Sequence, residues 1–378
     1  MHTRAHEYIV IGAGGTGAAT AYELARTGHD VLLLEQFTIG HDRGSSFGPS
    51  RIFRFAYEEP DYARLAASAL EAWRDLEADA GARLLWQTGG LDLGPHGVRS
   101  LQRTADTLAE IGHAGTWLDA NELQRRYPQW RVPDDWAALY SEHAGIVNPS
   151  LTVELLAAMT RVHGGTVLER TPVVRLELGP TPVVHTERGR FAARRVVVAA
   201  GGWLPTLFPQ LGKALRVSLE ATMFFRPRNL ADFAPERFPI FIAHDRSQAY
   251  GFPAFGLPGV KIALHGSGPA VDADARPLDV APDMIERARA FLERHLPAAA
   301  GPLMEARTCL YTNAPAEDFV LLPHPRSEAV LIASPCSGHG FKFVPLTGRI
   351  VAAAARGEAH PGWLDRFRSP EVQAALNG

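Results

Sequence analysis

The chain has 378 residues, of which 46% are hydrophobic and 21% charged, with a formal net charge of −3. That length allows about two structural domains, and the composition is ordinary for a globular protein. Nothing in the charge balance points to a nucleic-acid or anionic-membrane partner, and no apolar run reaches the roughly 20 residues of a bilayer span.

In chain order, Tyr8 to Ile11 is a short apolar run of the kind found in a buried parallel strand. It is too short for a signal peptide, and it runs into the turn Gly12-Ala13-Gly14-Gly15-Thr16-Gly17. Ala18 to Arg26 is Ala-rich and favours a helix that Gly28 ends. Val31 to Leu34 reads as a second buried strand, closed by Glu35, which completes a βαβ unit. Further long apolar strands fall at Val196 to Ala200 and Ala329 to Ala333, the latter followed by a loop and a helix through Gly348 to Ala355. These segments can share one sheet although they lie far apart in the chain.

Residues 85–95 and 216–312 carry alternating runs broken by Pro and Gly, as in an antiparallel sheet. In Val260 to His265, Val260, Ile262 and Leu264 would face a core, while Lys261, Ala263 and His265 would face a cavity. The expected fold is therefore α/β plus antiparallel β, two interleaved domains between which the chain passes more than once. Residues 1–84, 145–215 and 316–378 are assigned to a dinucleotide-binding domain of Rossmann type, and 85–144 with 216–315 to a substrate domain.

Gly12-x-Gly14-x-x-Gly17 follows a strand and opens a helix. The first glycine makes the tight turn, the second admits a pyrophosphate, and the third lets helix and strand approach. Helix N-terminal N–H groups then bind phosphate, and Glu35 stands where a ribose hydroxyl would be met. This predicts a dinucleotide without separating FAD from NAD. Gly44-Ser45-Ser46-Phe47-Gly48 matches the pattern of a hydrolase elbow, but no strand precedes it and that reading is rejected. Arg51 and Arg54 would share a face if helical, either as a solvated or ion-paired face or as a site for a carboxylate or an electron-rich ring. The histidines show no metal-ligand spacing, and His265 and His339 taken singly read as structural. Cys309 and Cys336 make no disulfide framework and fit a reducing compartment. The chain ends Ala375-Leu376-Asn377-Gly378 rather than in a peroxisomal tail, so a cytoplasmic location is expected.

Read together, these stretches resemble the monomeric sarcosine oxidase and N-methyltryptophan oxidase family of flavoproteins. The resemblance rests on Gly12 to Glu35; Gly44-Ser45-Ser46 through Ser50-Arg51, Arg54 and Tyr57; Thr88 to Gly94; Tyr250-Gly251-Phe252-Pro253; Lys261 to His265; Cys309-x-Tyr311-Thr312 with Asp318-Phe319; and Ser337-Gly338-His339-Gly340-Phe341-Lys342-Phe343. It implies FAD tethered through its 8α-methyl to Cys309, which explains a cysteine at one fixed place. Ser45, Ser50, Gly338 and Gly340 join the glycine turn and Glu35 as implied cofactor contacts. Arg54 and Lys342 are the implied clamp on a substrate carboxylate, and Lys261 the cation that helps O₂ take electrons. Arg51 matches a basic residue by the other flavin face; Tyr250, His265 and Tyr311 match residues that shape the amine pocket. Cys336 is expected to be free.

The implied reaction is oxidation of a secondary amine, most simply an N-methyl amino acid. A hydride equivalent passes to flavin N5, water hydrolyses the imine, and O₂ is reduced to hydrogen peroxide by a monomeric enzyme. Two departures bear on substrate choice. Phe47 stands where many members carry histidine, and Pro49 replaces a common aspartate. Both make a bulkier amine, or a cyclic imino acid such as proline or pipecolate, a plausible substrate. The rivals are a D-amino-acid or glycine oxidase with non-covalent FAD, a nicotinamide-dependent dehydrogenase, and a non-catalytic flavin-binding subunit.

Overall fold

A computed structural model describes residues 4–358 and 362–377. Its first sheet is built on the strand Arg4–Ile11, whose residues 8–11 are all buried. That strand pairs in parallel with Val31–Leu34 on one side and with Gly189–Val198 on the other, and Ser327–Ser334 continues the parallel set through Val196↔Val330. A strand covered on both faces has no use for alternation, which is why these runs are continuously apolar. Each fully buried Ile or Leu here contributes roughly 1.5–3 kcal/mol. The strands read at Tyr8 to Ile11, Val31 to Leu34, Val196 to Ala200 and Ala329 to Ala333 thus do lie in one sheet.

The helices Gly15–Arg26 and Val344–Arg356 pack together over one face of this sheet. Gly348 allows that contact, since a Cβ there would lie 2.5 Å from the Ala19 side chain.

The second sheet has eight strands in the order Leu303–Asn313, Arg216–Phe225, Val260–Leu264, Ala249–Phe252, Ile240–Ala243, Gly90–Pro95, Trp136–Ser141, Thr116–Asp119. All neighbours are antiparallel except Ile240–Ala243 beside Gly90–Pro95. Val260, Ile262 and Leu264 enter one core with Met223, Phe225 and Phe291, as the alternation required. The opposite face carries Cys309, Tyr311, Thr222, Tyr250 and His265 towards a cavity between the sheets. A small third sheet joins Arg51–Phe53 and Leu85–Trp86 to Gly145–Val147.

Arg51 therefore lies in a strand, not a helix. Its neighbours Ile52 and Phe53 pair with Ile146 and Gly145, and sheet pairing decides the local conformation. Among the described residues no helix is long and apolar enough to cross a membrane.

Candidate active site

At one end of the cavity the glycine turn packs as closely as its spacing predicts. Gly12 has φ +94°, a conformation that disfavours any side chain, and a Cβ there would lie 2.6 Å from the Ala199 carbonyl oxygen. A Cβ on Gly17 would sit 1.8 Å from the Gly12 carbonyl oxygen. Only glycine fits either place. Gly17 thus packs behind the wall, while Gly12, Gly14 and Glu35 line the cavity. The Gly15 N–H donates to Ser46 Oγ at 3.0 Å, tying the turn to the segment that the hydrolase pattern covered.

Glu35 is buried, and its carboxylate accepts from the Ala13 N–H at 2.8 Å and the Phe37 N–H at 2.9 Å. Burial pushes this carboxyl up, but a bond from His41 and the two amides together bring it below the ordinary carboxylate range. It stays charged beside the turn.

The cavity encloses about 910 Å³ and runs from this turn to the second sheet. Cys309 and Tyr311 stand on the strand Leu303–Asn313, opposite Glu220 and Ser218. Burial pushes the Cys309 thiol up, while the Arg51 and Lys261 cations pull it back. Ser45 Oγ donates to the Leu310 carbonyl, and Arg51 holds the same loop by donating to the Ser45 carbonyl at 2.9 Å. Cys336 is also on the wall, is not in a disulfide, and its Sγ accepts from the Thr312 N–H.

Besides Gly17, three residues singled out in the sequence lie behind the wall rather than on it: Lys261, Ser50 and Phe47. Lys261 Nζ donates to the Ser50 carbonyl at 2.7 Å and lies 4.6 Å from the Phe252 ring centroid. Burial, then the neighbouring Arg51, lowers its pKa well below the usual lysine value. Phe47 is buried under the Arg51 guanidinium, 5.7 Å from its ring centroid. His265, by contrast, faces the cavity near Tyr311, and burial lowers its pKa. The Tyr250 and Tyr311 hydroxyls are 3.3 Å apart. Gly338 has φ +75°, and a Cβ there would strike the Tyr311 ring at 2.4 Å, so this glycine admits the ring. Gly340 likewise leaves room for the Pro335 carbonyl, 1.8 Å from where its Cβ would be.

Arg54 and Lys342 both line the cavity, although far apart in sequence. Arg54 is paired with buried Asp92 at 2.8 Å, and Asp92 also binds His244 at 2.9 Å. Lys342 Nζ donates instead to two neutral oxygens, Tyr57 Oη and the His339 carbonyl, each at 2.7 Å. Burial, with Arg54 adding to it, lowers the Lys342 pKa well below the usual lysine value. Sequence reasoning missed Asp92, and it gave Tyr57 and His339 no part in the site. Asp92 stands at the unspecified position of Thr88-Gly89-Gly90-Leu91-x-Leu93-Gly94, which gave no signal for it.

A two-sheet fold with a glycine-turn cradle, a charged acid at the ribose position and a long cavity defines a dinucleotide-dependent oxidoreductase. The family model described as FAD dependent oxidoreductase (DAO) matches residues 7–354, and the chain belongs to this family, in the branch of the monomeric sarcosine oxidases. It is 34% identical over 366 residues to monomeric sarcosine oxidase of Streptomyces avermitilis, covering 94% of this chain and 95% of that one. It is 31% identical over 357 residues to N-methyl-L-tryptophan oxidase of Salmonella arizonae, covering 92% and 94%. Among solved structures it is similar to NikD, an unusual amino acid oxidase essential for nikkomycin biosynthesis, with a TM-score of 0.87 at 26% identity and 97% coverage of each chain. FAD suits the residues present: Gly12, Gly14 and Gly15 line the cavity beside the charged Glu35, and the cavity continues past Glu35 to the sheet.

Proposed function

We propose that this chain is an oxidase of small secondary amines bearing a carboxylate, N-methyl amino acids first among them. The observation that carries the reading is the pair of cations Arg54 and Lys342 on the wall of a cavity that also presents Tyr250, Tyr311 and His265. FAD, when bound, supplies the redox chemistry, accepting two electrons from the amine and passing them to O₂ to give hydrogen peroxide.

The protein's residues do the rest. Gly12, Gly14 and Glu35 hold the dinucleotide end, with Ser45, Gly338 and Gly340 on the walls around the ring and Ser50 behind them. Cys309 holds the cofactor as a thioether. Arg54 and Lys342 orient the substrate through its carboxylate, where a low-dielectric site makes charge pairing count most. His265, neutral through burial, and the two tyrosines shape the amine pocket. Lys261 and Arg51 provide positive charge near the site of O₂ reduction. We assign residues 1–84, 145–215 and 316–378 to the cofactor domain and 85–144 with 216–315 to the substrate domain of a cytoplasmic monomer; residues 1–3, 359–361 and 378 lie outside the described residues.

The test is an anaerobic panel of N-methyl amino acids and cyclic imino acids followed by flavin bleaching, with peroxide measured on readmitting air. Bleaching by at least one class and stoichiometric peroxide are expected. A flavin that no member of the panel reduces defeats the proposal.

A further inference from the structure

We propose that Tyr57 and His339 are positioning residues for the substrate carboxylate, forming a one-way hydrogen-bond chain that holds Lys342 with a single N–H left for the cavity. This rests on the reading of Lys342 as a carboxylate ligand.

The direction of the chain follows from its far end. His339 Nε2 lies 3.0 Å from the Glu317 carbonyl oxygen, which can only accept. Nε2 therefore carries the proton. Burial, and then the Lys342 charge, lowers the His339 pKa to about 3, so the ring is neutral and Nδ1 is a bare acceptor. The Tyr57 hydroxyl, 2.9 Å away, must donate to Nδ1. Its oxygen lone pair then accepts from Lys342 Nζ at 2.7 Å. A second Lys342 N–H goes to the His339 carbonyl. An ammonium has three N–H groups, and one remains.

Packing fixes each link. The Tyr57 ring stacks on Tyr62 with centroids 5.3 Å apart, and the His339 ring stacks on Phe319 at 4.8 Å. The Trp73 indole N–H donates to the Lys342 carbonyl at 2.7 Å, which pins the backbone. The last acceptor, Glu317, and its neighbour Ala316 both have φ +56°, a strained conformation for residues with side chains. Such strain is worth keeping where it aims a carbonyl, and here it aims one at His339.

The arrangement gives the two cations of the pocket different tasks. Arg54 already has a carboxylate, Asp92. Lys342 has only neutral oxygens, which do not neutralise it, and burial and Arg54 lower its pKa, so its ammonium form is the one that an incoming anion would stabilise. It is the cation whose charge an incoming carboxylate would meet uncompensated.

The experiment uses the FAD-loaded protein, with acetate as the probe of the carboxylate site and sarcosine as substrate. Acetate binding is read from the flavin absorbance. Tyr57→Phe keeps the ring and removes the hydroxyl; His339→Leu removes both ring nitrogens; His339→Gln keeps a donor and an acceptor. Tyr57→Phe and His339→Leu are expected to raise the acetate Kd and the sarcosine KM about tenfold, the worth of one charge-assisted bond, with kcat within about twofold. His339→Gln is expected to restore both. Lys342→Met separates the two ideas. If it leaves acetate binding unchanged, the carboxylate reading itself fails. If it weakens acetate binding while Tyr57→Phe and His339→Leu bind acetate as wild type does, the chain has no positioning role although the clamp stands. A loss confined to kcat would also overturn the proposal. Should His339→Leu not fold, Tyr57→Phe decides alone.

Discussion

The two ends of the cavity are built by opposite means. At the turn the backbone does the work: Gly12 and Gly17 make room, and the Ala13 and Gly15 amides tie the turn to Glu35 and Ser46. At the sheet, side chains do the work, and Lys261, Lys342, His265 and His339 all have pKa values lowered by burial. A backbone site tolerates no added atom but needs no tuned charge. A side-chain site tolerates changes of shape but depends on which groups carry protons.

That contrast can be broken most directly at Gly17. Gly17→Val places carbon against the Gly12 carbonyl, and overpacking with backbone displacement is expected to cost at least about 3 kcal/mol and to abolish FAD retention. A variant that keeps its yellow colour and its melting temperature would remove the steric argument. The sheet end is expected to respond more locally. Cys309→Ala should fold and still bind FAD, yet release it when precipitated with acid. Flavin that stays attached to the denatured variant would disprove the proposed tether.

The smallest effect sharpens the comparison through pH. His339 is neutral in the folded protein down to about pH 3, whereas an ordinary histidine gains a proton near 6.5. Between those values the unfolded chain binds the extra proton, so acidification favours unfolding by up to about 1.4 kcal/mol per pH unit from this residue. The stability of His339→Gln should therefore fall less steeply than wild type from pH 6.5 to 4 in denaturant titrations. Parallel slopes would show that the native ring takes up a proton after all.

The same contrast explains what could be read without coordinates. The turn is local: Gly12, Gly14 and Gly17 sit within one strand–helix junction, and spacing alone identifies them. Alternation in Val260 to Leu264 placed the core face correctly, because a strand's period is a local property. It did not reveal that Lys261 stops short of the cavity beneath Ser50, since that depends on a loop from elsewhere in the chain. Arg51 was not legible as a strand residue, because its conformation is imposed by pairing with Gly145–Val147, and the spacing of Arg51 and Arg54 left a binding face and an ion-paired face both open. Tyr57 meets Lys342 across a sequence separation of 285 residues, and no pattern in either segment announces the other.

The first sheet also has a temporal meaning. Its central strand, Arg4–Ile11, is synthesised long before Ser327–Ser334, the strand that completes the parallel set. Pairings this remote close late, after most of the loop entropy has been met. A nascent chain that has not yet made Ser327–Ser334 thus carries the glycine turn on an unfinished platform, and a cofactor could be gripped only once that strand has joined the sheet.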